Sequence, residues 1–382
     1  MKKTRFVVQM ALAALSTVAV APAASAAVAH KTTTTTSTST TSTSSTSGGK
    51  TFGLVDGRLV GATPAQIDSY LTQDASSGVT AVRAQLSWNA VEPTAGTFNW
   101  APFDSIVNGA AAHHMQVLAL IDFTPAWARP SGCTVWYCEP ADPNQFAAFA
   151  KTAAARYGSN VSAWEIWNEP NSAGFWAPQP DAAAYSQLLT VTASAIRSVN
   201  PSAYIVSAGL APEPNDGVDI NPVYFLQGMC SAGGLQAPDA IGDHPYSSPV
   251  LPDYAAVWNA WQQMNNTSPN LRSVMAGCGA GSKPIWITEY GAPTNGPGPT
   301  ATLSNYDLVD HPTHVDLSLQ AAMVTQSVSD VKSYPWVGAL FFYSSADAGT
   351  SLTTNQNFFG LLDFYNNPKP SWSALQSALG AS

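Results

Sequence analysis

From Thr51 onward, short apolar runs of strand character alternate with longer segments whose apolar positions recur at helical spacing. The strand-like runs fall at 52–55, 81–87, 116–121, 162–167, 204–208, 240–243, 284–288 and 339–343. Between them, segments such as 64–76, 144–157, 181–199 and 315–332 carry the 3.6-residue period of amphipathic helices. Thr63-Pro64 and Asp142-Pro143 read as helix starts, a capping side chain followed by a first-turn proline. Eight such units in one chain predict a single (β/α)8 TIM barrel over 51–382. The competing open, doubly wound sheet calls for a glycine-rich phosphate turn after an early strand, and no G-x-G-x-x-G occurs. In a barrel the chemistry belongs at the C-terminal ends of the strands.

The pattern breaks down before Thr51. Lys2, Lys3 and Arg5 precede a largely apolar run from Phe6 to Val20, and Ala24-Ser25-Ala26 supplies small residues, so 1–26 is expected to be a cleaved secretory signal. Residues 27–50 are rich in Thr and Ser with nothing apolar to bury, and are expected to form a solvated linker. No later run is long and apolar enough to span a bilayer, so a secreted chain without a membrane span is expected. Export permits disulfides. A local Cys133–Cys138 bridge would leave Cys230 to pair with Cys278, although four cysteines allow three pairings.

A formal net charge of −9 argues against a nucleic-acid partner. Only 10% of the residues are charged while twelve are tryptophans, a balance suited to a neutral, ring-shaped polar ligand. Two strand ends then stand out. The fourth runs through Trp164-Glu165-Ile166-Trp167-Asn168-Glu169-Pro170-Asn171, and the seventh through Ile285-Trp286-Ile287-Thr288-Glu289-Tyr290-Gly291. A carboxylate among apolar neighbours is costly unless paired or used. Two of them facing each other across a barrel mouth are what hydrolysis of an acetal needs, one as proton donor and the other as nucleophile.

Trp167-Asn168-Glu169-Pro170 together with Ile287-Thr288-Glu289-Tyr290-Gly291 resembles the retaining glycoside hydrolases of clan A, closest to the cellulase-type family 5 and the family 39 enzymes. The resemblance implies a barrel with Glu169 as general acid/base and Glu289 as nucleophile. It also implies that Asn168 contacts the sugar 2-hydroxyl, and that Arg83, late in the second strand, helps keep the nucleophile ionised. His244 and Tyr246 match positions that line the cleft and hydrogen-bond the nucleophile. The loop from Trp88 to Trp100 is similar to the loop after strand two. Where many members of the clan have a tryptophan at the end of strand eight, this chain has Tyr343. Asp122-Phe123-Thr124-Pro125-Ala126-Trp127 leans towards family 39.

Trp88, Trp127, Trp136 and Trp176 fall in loops on the expected active face. Two of the four, Trp127 and Trp176 foremost, are candidates for stacking on sugar rings. Trp164, Trp258, Trp261, Trp286 and Trp372 are expected in the core. Glu165 is expected to be the buried partner of a cation such as Arg83. His311 and His314, with Asp310 and Asp316, read as a solvated helix start rather than a metal site. These observations together predict a secreted, monomeric, retaining β-glycosidase with no cofactor and no metal. It would act on a polysaccharide or cell-envelope glycan, by preference within the chain. A carbohydrate-binding barrel without turnover and a transglycosylase are the alternatives.

Overall fold

The computed structural model describes residues 49–381; the expected signal and most of the expected linker lie outside the described residues. Eight parallel strands line the barrel: β1 (Thr51–Val55), β2 (Ala81–Ser87), β3 (Gln116–Asp122), β4 (Ala163–Ile166), β5 (Ile205–Ser207), β6 (Ile241–Asp243), β7 (Ile285–Tyr290) and β8 (Val337–Tyr343). Hydrogen-bonded order runs β5-β4-β3-β2-β1-β8-β7-β6. The Val206–Ala240 bridge, in which Ser207 N donates to Ala240 O at 3.0 Å, joins β5 to the approach of β6 and closes the ring. The chain is a (β/α)8 TIM barrel.

One principal helix follows each strand: α1 (Pro64–Ala75), α2 (Ala101–Ala112), α3 (Pro143–Tyr157), α4 (Ala182–Arg197), α5 (Pro222–Ser231), α6 (Leu271–Gly277), α7 (Leu317–Ser333) and α8 (Pro370–Leu379). Their starts follow local chemistry. Thr63 and Gln66 form a reciprocal capping box, Asp142 accepts from Asn144 N, and Asp181 accepts from Ala183 N and Ala184 N. In α4 the buried positions Tyr185, Leu188, Leu189, Thr192, Ala193 and Ile196 repeat every three or four residues, so one stripe packs on the sheet.

Two apolar cores result. The larger fills the space between sheet and helices, and its wide aromatic content includes Trp88, Trp164, Trp167, Trp176, Trp261 and Trp372. The smaller lies inside the barrel and takes Val55, Ala81, Leu118, Ala163, Val206, Ala240, Ala339 and Phe341 from the inward faces of the strands. Both disulfides form, Cys133–Cys138 and Cys230–Cys278, the second tying α5 to the end of α6. Among the described residues no helix is long and apolar enough to cross a membrane.

Two tryptophan expectations need correction. Trp176 is 1% exposed, because the loop after β4 folds inward and sets its ring edge-on to Trp167 at 5.2 Å and Tyr185 at 6.0 Å. It has no face left for a sugar. Trp258 is 56% exposed rather than buried, since it precedes the short helix Ala260–Gln263 on a surface loop beside Tyr254. Asp316 does start a helix by accepting from Leu319 N, but His314 is buried against Thr300 and is not solvated.

Candidate active site

Period-2 alternation carries the small inner core upward into chemistry. Arg83 follows Ala81 on the inward face of β2, and Glu165 follows Ala163 on β4. Arg83 is the third of seven residues in β2, not late in it; its length brings its head to the strand ends. Its guanidinium donates through Nε to Glu165 Oε2 at 2.5 Å, through Nη1 to Glu289 Oε1 at 2.5 Å and through Nη2 to Asn168 Oδ1 at 2.8 Å. Burial opposes the charge, but Glu165 and Glu289 outweigh it and hold the Arg83 pKa above its ordinary value. The cation expected for Glu165 is therefore Arg83, and this one side chain links β2, β4 and β7.

Glu289 lies inside β7, which continues through Tyr290, two residues beyond the expected end at 288. Tyr246, in the loop after β6, donates to Glu289 Oε2 at 2.7 Å. Both oxygens of Glu289 thus act as acceptors, the pattern of a carboxylate. Glu169 has different surroundings. Its Oε1 lies 2.9 Å from His244 Nδ1, and the ring's Nε2 lies 3.0 Å from Thr288 Oγ1. Burial, then the negative charge of Glu289, raises the Glu169 pKa well above the usual carboxyl range. Burial and the nearby Arg83 cation push His244 well down, which leaves its imidazole neutral. His244 and Tyr246 were both expected to line the cleft and bond the nucleophile. The structure gives that contact to Tyr246 and places His244 on Glu169, with Glu289 Oε2 at 3.8 Å.

The backbone at the end of β4 is held in an uncommon conformation. Trp167 and Glu169 have φ of 72° and 47°, a left-handed region that costs a side-chain-bearing residue about 1–3 kcal/mol. Three hydrogen bonds fix it: Trp167 N to Ile121 O, Glu169 N to Gly209 O, and Trp167 Nε1 to Phe175 O. The conformation turns the Glu169 side chain into the mouth while the Trp167 and Glu169 N–H groups stay paired.

At the rim, Trp127 is 37% exposed, is anchored by its Nε1 donating to Glu92 O at 3.0 Å, and meets Trp88 edge-on. Trp88 is buried and bonds Glu92 Oε2, so it supports the loop instead of presenting a surface. Trp136 is half-buried against Phe123. Tyr343 ends β8 half-buried beside Phe359. Gly209 joins the site from outside the expected residues: its N–H donates to Glu165 Oε1 and its C=O accepts from Glu169 N. Its one visible signal was its place directly after the fifth strand. Thr288 was passed over beside Glu289. Ligand atoms of Glu169, His244 and Glu289 lie within 4.8 Å of one another and could in principle hold a cation; here they are engaged in hydrogen bonds with one another and with Tyr246.

Two buried carboxyl groups in unlike environments, one just beyond β4 and one in β7, thus meet at one barrel mouth, as the resemblance to clan A glycoside hydrolases implies. The family model for Cellulase (glycosyl hydrolase family 5) matches residues 33–311, and the chain belongs to that family. A beta-xylosidase of Caldicellulosiruptor saccharolyticus is 26% identical over 249 residues, 59% of this chain and 43% of the relative. The match therefore spans less than half of that protein's length. A family 39 glycoside hydrolase from Bacteroides cellulosilyticus WH2 superposes with a TM-score of 0.63 at 23% identity, covering 86% of this chain and 64% of that one. A GH5_18 enzyme from Streptomyces cattleya in complex with GlcNAc does so with a TM-score of 0.59 at 16% identity, covering 87% and 80%. These likenesses establish a shared fold.

Proposed function

We propose that the protein is a secreted, retaining β-glycosidase in which Glu289 is the nucleophile and Glu169 the general acid/base. The observation that carries this reading is the closeness of the two carboxyl groups, whose facing oxygens lie within 4.8 Å of each other. Retaining pairs are ~5–5.5 Å apart, whereas inverting pairs leave ~6.5–9.5 Å for a water. The unlike environments supply the division of labour. Glu289 accepts from Arg83 and Tyr246, while Glu169 is held as a carboxyl by burial and by its partner's charge.

In the first step a Glu289 oxygen bonds to the anomeric carbon as the bond to the glycosidic oxygen breaks, and the Glu169 proton passes to that oxygen. In the second, water attacks the same carbon, its proton goes to Glu169, and the Glu289 ester is released. Two inversions restore the starting configuration. Asn168 has given its oxygen to Arg83, so its amide hydrogens are what it offers the sugar 2-hydroxyl. Trp127 provides a stacking face at the rim, and Tyr343 one at the end of β8. Two disulfides and the expected signal support export.

The test is incubation with 2-deoxy-2-fluoro β-glycosides bearing an activated leaving group, followed by peptide mass analysis. Added sugar mass on the peptide bearing Glu289 is expected; turnover without label, or label elsewhere, overturns the assignment. Products from xylan, mannan and glucan then identify the substrate and test action within the chain, which monosaccharide release alone would refute. Binding without cleavage would point to a lectin-like barrel, and longer products with added acceptor to a transglycosylase.

A further inference from the structure

We propose that Thr288, Glu165 and the bare backbone of Gly209 fix His244 as the Nε2–H tautomer, and that His244 in turn holds the proton on Glu169. The inference deepens the function proposed above and rests on it. Thr288 has a single hydroxyl hydrogen, and its Oγ1 donates to Glu165 Oε1 at 2.8 Å. Glu165 cannot return a proton, because it is the carboxylate partner of Arg83 Nε and also receives Gly209 N–H at 3.1 Å. Toward His244 the threonine therefore offers a lone pair, and Nε2 at 3.0 Å must carry the hydrogen. A neutral imidazole with Nε2–H has a bare lone pair on Nδ1. The atom facing that lone pair at 2.9 Å is Glu169 Oε1, and a contact of this length needs a hydrogen. It comes from the carboxyl group. Glu169 is the donor, the state a general acid must hold before reaction.

Gly209 makes the arrangement possible in a way no other residue does. A Cβ built there would lie 2.0 Å from His244 Nε2 and 2.5 Å from Thr288 Oγ1, on the bond itself. Its N–H orders Glu165 at one end of the relay, and its carbonyl accepts Glu169 N at the other. Among the described residues, Glu169 and Thr288 are the hydrogen-bond partners of the two ring nitrogens. The consequence of the tautomer extends through both steps. Once Glu169 has released its proton, a lone pair on Nδ1 faces a carboxylate, which raises the basicity of Glu169 and favours recovery of a proton from water. Thr288, Glu165 and Gly209 are positioning residues that act through His244.

The titratable and charged groups facing Glu169 and His244 are Arg83 on β2, Glu165 on β4, Glu213 after β5, Tyr246 after β6, Glu289 on β7 and Tyr343 on β8. A change at Thr288 leaves all six groups in place, so a shifted pH profile reports the tautomer. In Thr288→Val the ring is free to take the Nδ1–H form and donate to ionised Glu169. The alkaline limb of kcat/KM, read on the unactivated β-1,4-linked hexasaccharide cleaved fastest in the glycan panel, is expected to move down by about one pH unit. Thr288→Ser is expected to restore it. Independently of any variant, long-range 1H–15N correlation on histidine-labelled wild-type enzyme is expected to show His244 as Nε2–H, its signal identified by loss in His244→Gln. An Nδ1–H signal in the wild type, or an unmoved limb in folded Thr288→Val, overturns the proposal. Fluoro-sugar labelling of the same preparation separates the two readings. Label on Glu289 with an Nδ1–H histidine refutes only the relay, and no label with Nε2–H refutes only the double displacement.

Discussion

Along four strands of the barrel, one two-residue step separates a side chain that packs from one that carries charge or a hydroxyl. Ala81 is followed on the inward face by Arg83, Ala163 by Glu165, Trp286 by Thr288, and Phe341 by Tyr343. The lower members close an apolar plug inside the barrel; of the upper members, Arg83, Glu165 and Thr288 build the hydrogen-bonded network under Glu169 and Glu289, and Tyr343 flanks it. Sheet pairing is staggered: Arg83 lies opposite Val55 of the plug and, through Leu118, level with Ala163, so the plug forms a floor that also flanks the charges. The same floor excludes water from Arg83, Glu165 and Thr288, all buried, which is why their hydrogen bonds are fully formed and why removing one partner would strand another. Stability and chemistry thus occupy adjacent layers, and the two should respond to mutation separately.

The largest expected effect is on the upper layer. Glu289→Gln keeps the shape and an acceptor for Arg83 or Tyr246 but cannot form the proposed ester, and kcat/KM on the best glycan is expected to fall by at least about 10³-fold. The melting curve should show a cooperative transition as in the wild type. Next comes the lower layer. Phe341 is buried within the plug, and Phe341→Ala is expected to cost about 3–5 kcal/mol in denaturant unfolding while the folded fraction keeps its kcat within a few fold. If kcat in folded Phe341→Ala dropped as far as in Glu289→Gln, the two layers would not be separable.

Strands and their ends were legible because their signals are local: β2 has the expected bounds, and the others differ by one to three residues at their ends. Glu169 and Glu289 were legible because a carboxylate after an apolar run is itself unusual. Trp176 and Trp258 were not. Both are large apolar residues in loops, and only the path of the loop decides whether such a ring is enclosed or exposed. His244 was placed beside the carboxylates, yet which of the two it bonds is decided by less than an ångström, 2.9 Å to Glu169 against 3.8 Å to Glu289. Gly209 itself contributes no side chain to read. Its role lies in the space it leaves empty, and that space exists only once β5, β6 and β7 have come together.

Asp122 sharpens the comparison by crossing it, with a smaller effect than either substitution above. It ends β3 on the active face, level with Ser87 of β2, and so belongs to the upper layer by position. Its energetics are those of a buried group. Burial raises its pKa to about 8, although Gln85 Nε2 donates to Oδ2 at 2.7 Å, and Oδ1 has no partner among the described residues. The folded state therefore keeps a proton that the unfolded chain gives up at the ordinary value of 3.8. Between these values the native state binds more protons than the unfolded one, so the Asp122 contribution to stability is complete at acid pH and is lost as pH rises towards about 8. Asp122→Asn has no proton to lose. Its melting temperature, measured from pH 5 to pH 8, is expected to decline less steeply than that of the wild type, the two diverging by a few degrees at the alkaline end. Labelling of Glu289 by the fluoro-sugar should continue in the variant. Parallel melting profiles would mean that Asp122 is ionised in the folded protein and acts with the charged layer; diverging profiles with labelling retained would make it a stability group set beside the proposed catalytic pair.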